Sequence, residues 1–492
     1  MIKKLTSFFE RQKNQGLYSF LIVVLAFILF QYYKNIIYFP SDSGDYWRLS
    51  APKIFEDFPK ASFRGYFFPM LLWPAHWIED ILQLSTPHMY RIYTSIIYAY
   101  AFTVVLPALY IGIFGGAATV LRRLIAPCII LLLFPGVILY PLSDLPSFIL
   151  MACCLATLLS LKKISRLTMV ESLKIAGAGF LAYGAYNTRT IYLFPLIGVF
   201  LLFPFLLGSG KRAIVKLLIF LFLIAGGTVA GVPQSLINYK NHNKYTPLVQ
   251  SQSSDKSLFA LQLMWGITMQ RYGTFMNSPW EVGGGMYAID PAGVQIFENE
   301  KLSCESVSIK KYFQLLVKYP QFFIGSYARH VINGLDLRDG EVYYYMPKVG
   351  RNLQSTLSFL LLFFSGLTIC IRRTTTLLGS QNGEIGNGFR ALRKNADGLW
   401  PIYLFLIILP VIAIIPGAIE SRFFLPAHLL MYFTLAFNGD IGEVVAFTKD
   451  KFKAVIIIFF CALSIFFAIA QSTAAMETPT IDLKYIFVVQ NR

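Results

Sequence analysis

Charged residues are scarce in this 492-residue sequence, at 14%, while hydrophobic residues make up 56% and the mean hydropathy is +0.57. A water-soluble domain has too little interior to bury that much apolar surface, so the composition indicates a polytopic membrane protein. The net charge of +17 would suit a nucleic-acid-binding protein, but the basic residues form short clusters between apolar segments. That distribution is typical of the positive-inside rule, and we expect no nucleic-acid partner.

Several kinds of catalytic and metal site are also missing from the sequence. The six cysteines show no metal-ligand spacing and no disulfide framework, and Cys304 stands alone in a polar segment. There is no Gly-x-Ser-x-Gly or His-Glu-x-x-His motif, and the glycines before Lys211 do not complete a phosphate-binding loop. Without a nucleotide site, any sugar or acyl donor must reach the outer face of the membrane already activated.

Long apolar segments are what the sequence does contain. About eleven of them have the length of a membrane-spanning helix, roughly 17–25 residues. They lie near 17–38, 90–114, 124–141, 146–161, 172–187, 190–207, 213–232, 354–371, 399–417, 423–438 and 454–471. We therefore expect an all-α polytopic membrane protein with about eleven transmembrane helices.

The charges between these segments predict an orientation. Basic clusters such as Arg122-Arg123 and Lys162-Lys163 alternate with short turns that contain only Arg189 and Arg422 as basic residues. The positive-inside rule places the clusters and the N-terminus in the cytoplasm. We expect the first apolar segment to be an uncleaved helix, because it is too long for a signal sequence.

Two of the predicted outside segments are long and divide the chain. Segment 39–89 belongs to an N-terminal transmembrane module, 1–232, and its aromatic stretch Leu71 to Leu84 is typical of helices on a membrane surface. Segment 233–353 separates this module from a C-terminal transmembrane module, 354–492. Its apolar content is low, so we expect a small extracytoplasmic cap of mixed structure packed on the bundle.

Two carboxylates follow the first span directly, in Ser41-Asp42-Ser43-Gly44-Asp45-Tyr46. Ionisable groups at membrane depth are costly and usually functional. One acidic residue could cap the helix that begins near Tyr46, but capping explains two acidic residues less well. A carboxylate near apolar surface is more basic and can accept a proton from a hydroxyl group. Asp42 and Asp45 are therefore candidate catalytic residues.

Two further isolated charges fall in the next predicted outside turns. Asp144 precedes Pro146, so it either begins a helix or joins Asp42 at a site. Arg189 either extends to the lipid headgroups or binds a phosphate, which its forked guanidinium matches. Both residues are predicted on the same side of the membrane as Asp42.

Glu420 and Arg422 lie between two strongly apolar spans. Residues two apart on a helix point in different directions, so a mutual ion pair requires a bend. Otherwise Arg422 would reach a phosphate, and Glu420 a sugar or another arginine. His330, which follows Arg329 in an amphipathic stretch, is by default part of a polar surface; we include it as a further candidate for substrate binding.

Together these features resemble the GT-C superfamily of membrane glycosyltransferases. The similarity is to the bacterial branch that uses polyprenyl-phosphate sugars and is related to protein O-mannosyltransferases and lipid A aminoarabinose transferases. Asp42-Ser43-Gly44-Asp45-Tyr46 occupies the place of the family's Asp-Glu-x-x-Tyr. Pro233 and Asn238 match a Pro-x-x-x-x-Asn opening of the large outside loop, and Glu420 to Pro426 is similar to a Glu-x-Arg-Tyr-x-x-Pro run.

The resemblance implies an inverting glycosyltransferase in a bacterial cytoplasmic membrane, with its active site on the extracytoplasmic face. The donor would be a polyprenyl-phosphate sugar, and the acceptor a cell-envelope glycan or lipid. Some members of the family need a divalent metal and others do not, so no cofactor and no metal-binding residue is assigned.

The resemblance also implies roles for individual residues. Asp42 would be the catalytic carboxylate, Tyr46 would line the site, and Asp144 would be the family's second acidic position. Arg189 and Arg422 would bind the phosphate of the donor. Ser43 stands where the family has a second acid, which leaves the choice of base between Asp42 and Asp45 open.

Two other functions are compatible with such a sequence. An O-antigen-type polymerase or ligase also has a large outside loop with key arginines, but would not depend on an acid after the first helix. A lipid or glycan transporter would carry charges at mid-span depth and inverted repeats, and the sequence shows neither clearly.

Overall fold

The structure is a computed structural model, and it describes residues 14–51, 65–115, 118–161, 167–209, 212–250, 258–302, 308–344, 351–379, 400–439 and 451–476. Most of these residues are helical. Cys304 and the basic pair Lys162-Lys163 lie outside the described residues.

In the described residues before the cap, the secondary structure is helical: besides the short Gly136–Leu139, it consists of longer helices. They are α1 (Gln15–Lys34), α2 (Ser41–Leu49), α3 (Phe67–Ile81), α4 (His88–Phe114, with a π-helical segment at Ala101–Val105), α5 (Val120–Leu133), α6 (Asp144–Ser160), α7 (Met169–Thr188), α8 (Leu193–Leu207, preceded by a 3-10 turn at Thr190–Tyr192) and α9 (Ala213–His242).

The cap and the C-terminal helices follow. The cap contains α10 (Leu258–Thr268), β1 (Met269–Ser278), β2 (Glu281–Ile289), α11 (Pro291–Asn299), α12 (Ile309–Lys318), α13 (Pro320–Leu335) and β3 (Tyr343–Tyr344). The C-terminal helices are α14 (Asn352–Gly379), α15 (Trp400–Ile414), α16 (Leu425–Asn438) and α17 (Lys451–Met476).

Among the described residues, five helical segments are by length and composition able to cross a membrane: Gln15–Lys34, His88–Phe114, Thr190–Leu207, Ala213–His242 and Asn352–Ile369. Shorter apolar helices accompany them, including Asp144–Ser160 and Trp400–Ile414. The prediction of a predominantly helical, polytopic membrane protein is confirmed. Helices occur at each of the predicted positions, and a total of about eleven crossings stays a prediction.

The bundle is closely packed where small residues meet. A Cβ atom at Gly226 in α9 would overlap the carbonyl of Ala176 in α7, and one at Gly179 in α7 would overlap Leu223 in α9. Small residues allow membrane helices to approach at backbone distance. The close α7–α9 contact also fixes the end of α7, which Arg189 follows directly.

α9 is longer than the sequence predicted. It continues through Pro233 to His242, so the predicted module boundary between residues 232 and 233 falls inside a helix. The last turns carry Gln234 and Asn238, which are buried although they are polar. Their side chains are hydrogen-bonded within the bundle, and this compensates for burying them.

The cap contains the mixed structure that was expected, and it adds a sheet to the all-α class. Its strand order is β2-β1-β3, with β1 antiparallel to β2 and parallel to β3. A small apolar core that includes Leu261, Met264 and Phe323 joins its helices. The amide of Tyr272 in β1 donates to the carbonyl of Ile419, 2.9 Å away, and this fixes the sheet to the turn before α16.

The described residues of the first long segment predicted to lie outside form α2 and α3. In α3, Phe68 and Leu72 are buried against the bundle while Trp77 is 44% exposed and stacks on Trp73. That distribution fits a helix lying along the membrane surface, and its location there stays a prediction.

Candidate active site

Arg422 connects three carboxylates that are far apart in sequence. Its Nη2 atom lies 2.8 Å from Oδ2 of Asp42, and its Nε atom lies 2.7 Å from Oε2 of Glu420. Its Nη1 atom is 3.9 Å from Oδ2 of Asp144. A planar guanidinium can serve several acceptors at once from a fixed geometry, which a lysine cannot.

Arg189 is a second arginine near Asp144, and it pairs with the other carboxylate oxygen of that residue. Its Nη1 atom lies 2.5 Å from Oδ1 of Asp144, and its guanidinium carbon is 4.4 Å from the centre of the Phe423 ring. The structure thus brings together five candidate residues: Asp42, Asp144, Arg189, Glu420 and Arg422. We call this group the Arg422 cluster.

Neither Asp42 nor Asp144 acts as a helix cap. Asp42 lies in the first turn of α2, whose N-cap is Pro40, and Asp144 is the first residue of α6 after Ser143; neither helix start has a side-chain cap hydrogen bond. Both carboxylates are favoured by the helix dipole, but their side chains pair with arginines. Ser41 has a φ of 48°, a costly conformation for a residue other than glycine, and this backbone conformation leads directly into Asp42.

Of the two alternatives for Glu420 and Arg422, the structure shows the mutual ion pair. A 3-10 turn at Ser421–Phe424 supplies the bend that lets the two side chains pair. Burial raises the pKa of Glu420 to about 7. The Arg422 guanidinium acts to lower this pKa, and the nearby carboxylates of Asp42 and Asp144 act to raise it. Burial works against the charge of Arg422, but the same three carboxylates hold its pKa well above the usual range, so Arg422 stays cationic.

A cavity of about 1210 Å³ opens beside the cluster, and we call it the arginine cavity. Asp42, Arg189 and Arg422 line it, together with His242 and Lys244 near the end of α9. Its lining also includes apolar side chains from α8, α10 and the end of α15: Leu193, Phe194, Leu258, Phe259, Leu263 and Ile414. The cavity therefore offers both charged and apolar groups.

A second cavity of about 960 Å³ adjoins Asp42, and we call it the acidic cavity. Its lining includes Asp42, Asp45, Glu79, Asp80, Arg48, Trp47 and His76. Asp45 lies here, 3.3 Å from Arg48, and does not line the arginine cavity. Asp42 lines both cavities, and its side chain is 36% exposed compared with 2% for Asp144 and 7% for Glu420.

The other two candidates differ in position. Tyr46 is buried, packs edge-on against Phe68 and lines the arginine cavity. His330 is completely buried, so the expectation of a polar surface there is wrong. Its ring nitrogens lie 2.6 and 3.2 Å from the carbonyl oxygens of Ile415 and Met269, away from both cavity linings. His330 joins α13 to the loop after α15.

The sequence analysis missed three hydroxyl groups near the cluster. Tyr272 lines the arginine cavity, and burial beside Glu420 and Arg422 raises its pKa well above the usual range. The hydroxyl of Tyr343 accepts a hydrogen bond of 3.4 Å from the amide of Ser43. Thr188 is buried beside Arg189, and its hydroxyl has no hydrogen-bond partner among the described residues.

A chain of buried amides runs from Asn187, two residues before Arg189, to the lining of the arginine cavity. Asn187 donates to Gln234 (2.9 Å), and Gln234 donates to Asn238 (3.0 Å). The amide of Asn238 then donates to the carbonyls of Thr246 and Leu248, at 2.6 and 2.8 Å. Because Leu248 lines the cavity, these amides hold part of its lining in place.

Within the described ranges, no group of three or more His, Cys, Asp or Glu side chains is arranged to hold a metal ion. The three carboxylates of the Arg422 cluster point toward guanidinium groups instead.

Comparisons with known proteins give one similar solved structure to report. No family model and no curated protein sequence matches the chain. The chain is similar to the archaeal oligosaccharyltransferase AglB from Archaeoglobus fulgidus, solved in complex with an inhibitory peptide and a dolichol-phosphate. The TM-score is 0.41 and the identity 13%, over 95% of this chain and 57% of that chain. The chain thus spans little more than half the length of the structure it matches.

Proposed function

We propose that the protein is an inverting membrane glycosyltransferase of the GT-C type. It moves a sugar from a polyprenyl-phosphate carrier to a glycan or lipid of the cell envelope, on the extracytoplasmic face of a bacterial cytoplasmic membrane. The observation that carries the proposal is that Asp42, Arg189 and Arg422 line one cavity, whose lining also includes apolar side chains.

The arginine cavity suits a lipid-linked phosphate. Arg189 and Arg422 offer guanidinium groups to the phosphate, and Tyr272 offers a neutral hydroxyl in the same lining. The isoprenoid tail fits against apolar side chains such as Phe194 and Phe259. Cations for the phosphate and apolar side chains for the lipid chain match the two halves of this donor.

The acidic cavity suits the acceptor. Its lining contains Asp45, Glu79 and Asp80 but only one arginine, Arg48, so it disfavours a phosphate and accepts hydrogen bonds from hydroxyl groups. Since Asp42 lies between the two cavities, an acceptor hydroxyl and the donor's sugar carbon can meet beside its carboxylate.

In the proposed reaction, Asp42 accepts the proton of the acceptor hydroxyl as its oxygen attacks the anomeric carbon. The bond from that carbon to the phosphate oxygen breaks, and the configuration at the carbon inverts. The lipid phosphate leaves with the electron pair, and Arg189 and Arg422 stabilise its charge. Asp144 and Glu420 line neither cavity, and in the proposed mechanism they position the two arginines through their ion pairs.

The test is complementation of cells that lack the gene, with surface glycans analysed by mass spectrometry. Wild type should restore the mass of one sugar per acceptor or repeat, and Asp42→Asn should restore none, because loss of a general base lowers rates by about 10²–10⁴-fold. Asp45→Asn, three residues further along the same helix, is the comparison variant. It keeps Asp42 as the proton acceptor, and its amide oxygen still accepts a hydrogen bond from an acceptor hydroxyl, so we expect it to restore the glycan.

Membrane insertion and abundance of each variant are measured in parallel. Full glycan modification by Asp42→Asn, inserted at the wild-type level, would exclude the proposed reaction. Loss of an entire polymer in the gene-deleted cells, instead of one sugar, would identify a polymerase or ligase.

A further inference from the structure

The cap helix α12 presents three different faces. Tyr312 and Leu315 are buried against the cap core. Ile309, Phe313 and Val317, spaced four residues apart, form a stripe on one side and are 42%, 59% and 77% exposed. We call these three residues the α12 stripe.

Lysines flank the α12 stripe. Lys310 and Lys318 are exposed and follow Ile309 and Val317 by one residue, so they lie on the neighbouring face of the helix. Lys318 and Lys311 both pair with Glu300, at 2.5 and 3.1 Å, which holds α12 in a fixed rotation relative to the end of α11. The order of faces around the helix is thus buried, apolar and basic.

Two contacts place α12 at the level where membrane helices end. The hydroxyl of Tyr312 lies 3.5 Å from the carbonyl of Pro416, two residues beyond the end of α15. α12 also packs on α10, whose Phe259 ring lies 6.1 Å from Phe194 at the start of the span Thr190–Leu207. α12 therefore lies beside the ends of two apolar helices and not on the distant side of the cap.

We infer that the α12 stripe is immersed in the boundary region of the lipid bilayer, with Lys310 and Lys318 at the anionic headgroups. An amphipathic helix with bulky apolar residues on one face and lysines beside them binds a membrane surface by burying the apolar face and attracting anionic lipids. Ile324 at 71% exposure is a further exposed apolar side chain, on the neighbouring helix α13. The occupant of this face is the bilayer itself, because α12 lies beside the ends of two apolar helices and carries lysines next to its apolar stripe.

This contact has a consequence for the cap. α12 packs on α10, and α10 supplies Leu258, Phe259 and Leu263 to the arginine cavity. Anchoring α12 in the headgroup region therefore holds one wall of that cavity at a fixed depth. This membrane contact of α12 does not depend on whether the cavity binds a lipid-linked sugar.

The test uses the full chain in nanodiscs that contain equal amounts of phosphatidylglycerol and phosphatidylcholine. The photoreactive residue benzoylphenylalanine replaces Phe313 or, as the matched control, the exposed Gln314 on the basic face. After illumination, mass spectrometry counts adducts with lipid acyl chains. We expect at least fivefold more acyl-chain adducts from position 313 than from position 314. Equal yields at the two positions, or adducts of position 313 with a second protein chain, would overturn the inference.

The lysines are tested separately in the same nanodiscs. Lys310→Gln combined with Lys318→Gln should lower the ratio of phosphatidylglycerol to phosphatidylcholine adducts at position 313 by at least twofold. An unchanged ratio would overturn the assignment of the basic face to anionic headgroups. The midpoint of thermal unfolding, compared with that of the parent protein, verifies that each variant is folded.

Discussion

Arg422 donates a hydrogen bond of 2.8 Å to Asp42, a residue 380 positions earlier in the chain. The contact joins the first residues after the first membrane helix to the turn before α16. Asp42, the candidate base, and Arg422, a candidate phosphate ligand, are thus hydrogen-bonded to each other directly.

Removal of Arg422 should therefore damage the fold as well as the reaction. Arg422→Gln leaves the buried carboxylates of Asp144 and Glu420 with less compensation, and breaking a buried ion pair typically costs about 3–5 kcal/mol. We expect a clearly lower midpoint of thermal unfolding in detergent. Arg48→Gln is the control, because Arg48 is 77% exposed and its pair with Asp45 should contribute about 0–1 kcal/mol. Equal effects of the two substitutions would contradict the central position of Arg422.

Glu420 should give donor binding a dependence on pH. With its pKa at about 7, Glu420 is neutral at pH 6 and ionised at pH 8, so the cluster is more negative at the higher pH. A sugar-phosphate diester keeps a single charge throughout this range. We therefore expect donor affinity to fall about three- to tenfold from pH 6 to pH 8. Glu420→Gln imitates the neutral form and should bind with little pH dependence.

The same group predicts a trend in stability. The folded pKa of about 7 lies above the ordinary value of 4.5, so the folded state binds this proton more tightly. The stabilisation is complete below pH 4.5 and is lost as the pH rises through 7. The unfolding midpoint of the wild type should thus decline relative to that of Glu420→Gln between pH 5 and pH 8. An opposite trend would contradict the burial of Glu420.

Tyr272 is predicted to contribute to the reaction through its hydroxyl. A hydrogen bond to a charged group is worth about 1.5–3 kcal/mol, so Tyr272→Phe should lower kcat/KM for the donor by about 10- to 100-fold. The fold should be unaffected, because the ring and its edge-on contact with Phe423 are kept. Tyr33→Phe, at a residue 81% exposed on α1, is the control. Wild-type kinetics in Tyr272→Phe would remove this tyrosine from the site.

Asn238 is predicted to hold part of the lining of the arginine cavity in place. Asn238→Asp replaces the amide that donates to the carbonyls of Thr246 and Leu248 with a carboxylate oxygen, which cannot donate to them. Leaving such buried groups unpaired costs about 1–3 kcal/mol each. Hydrogen exchange should become faster in residues 243–250, and donor KM should rise more than kcat falls. Tyr239→Phe, at the neighbouring residue, is the control and should change neither quantity, because Tyr239 is 45% exposed and does not line the cavity.

Much of the candidate site could be predicted from the sequence, because isolated charges in an apolar chain are costly and conspicuous. This reasoning found all five residues of the Arg422 cluster. The sequence does not distinguish Asp42 from Asp45 as the base, since both lie on the same short helix. In the structure, Asp42 lines both cavities, whereas Asp45 lines the acidic cavity only.

Other features depend on contacts that no local pattern encodes. Tyr272 is one of 28 tyrosines, and only the pairing of β1 with the turn at Ile419 brings it to the site. His330 was expected at a surface because its helix is amphipathic, but the strand and the loop that cover it come from other parts of the chain. α9 passes its predicted end because buried hydrogen bonds of Gln234 and Asn238 stabilise its polar last turns.

The most direct test of the central claim separates binding of the lipid phosphate from the transfer of sugar. Equilibrium binding of a polyprenyl phosphate is measured on wild type, Arg189→Gln and Asp42→Asn, and each variant is also assayed for glycan modification in cells. The account predicts that Arg189→Gln weakens binding by at least about tenfold, the loss of one charge-assisted contact. Asp42→Asn should bind within about threefold of wild type and transfer no sugar. Unchanged binding by Arg189→Gln, or normal transfer by Asp42→Asn, would contradict it.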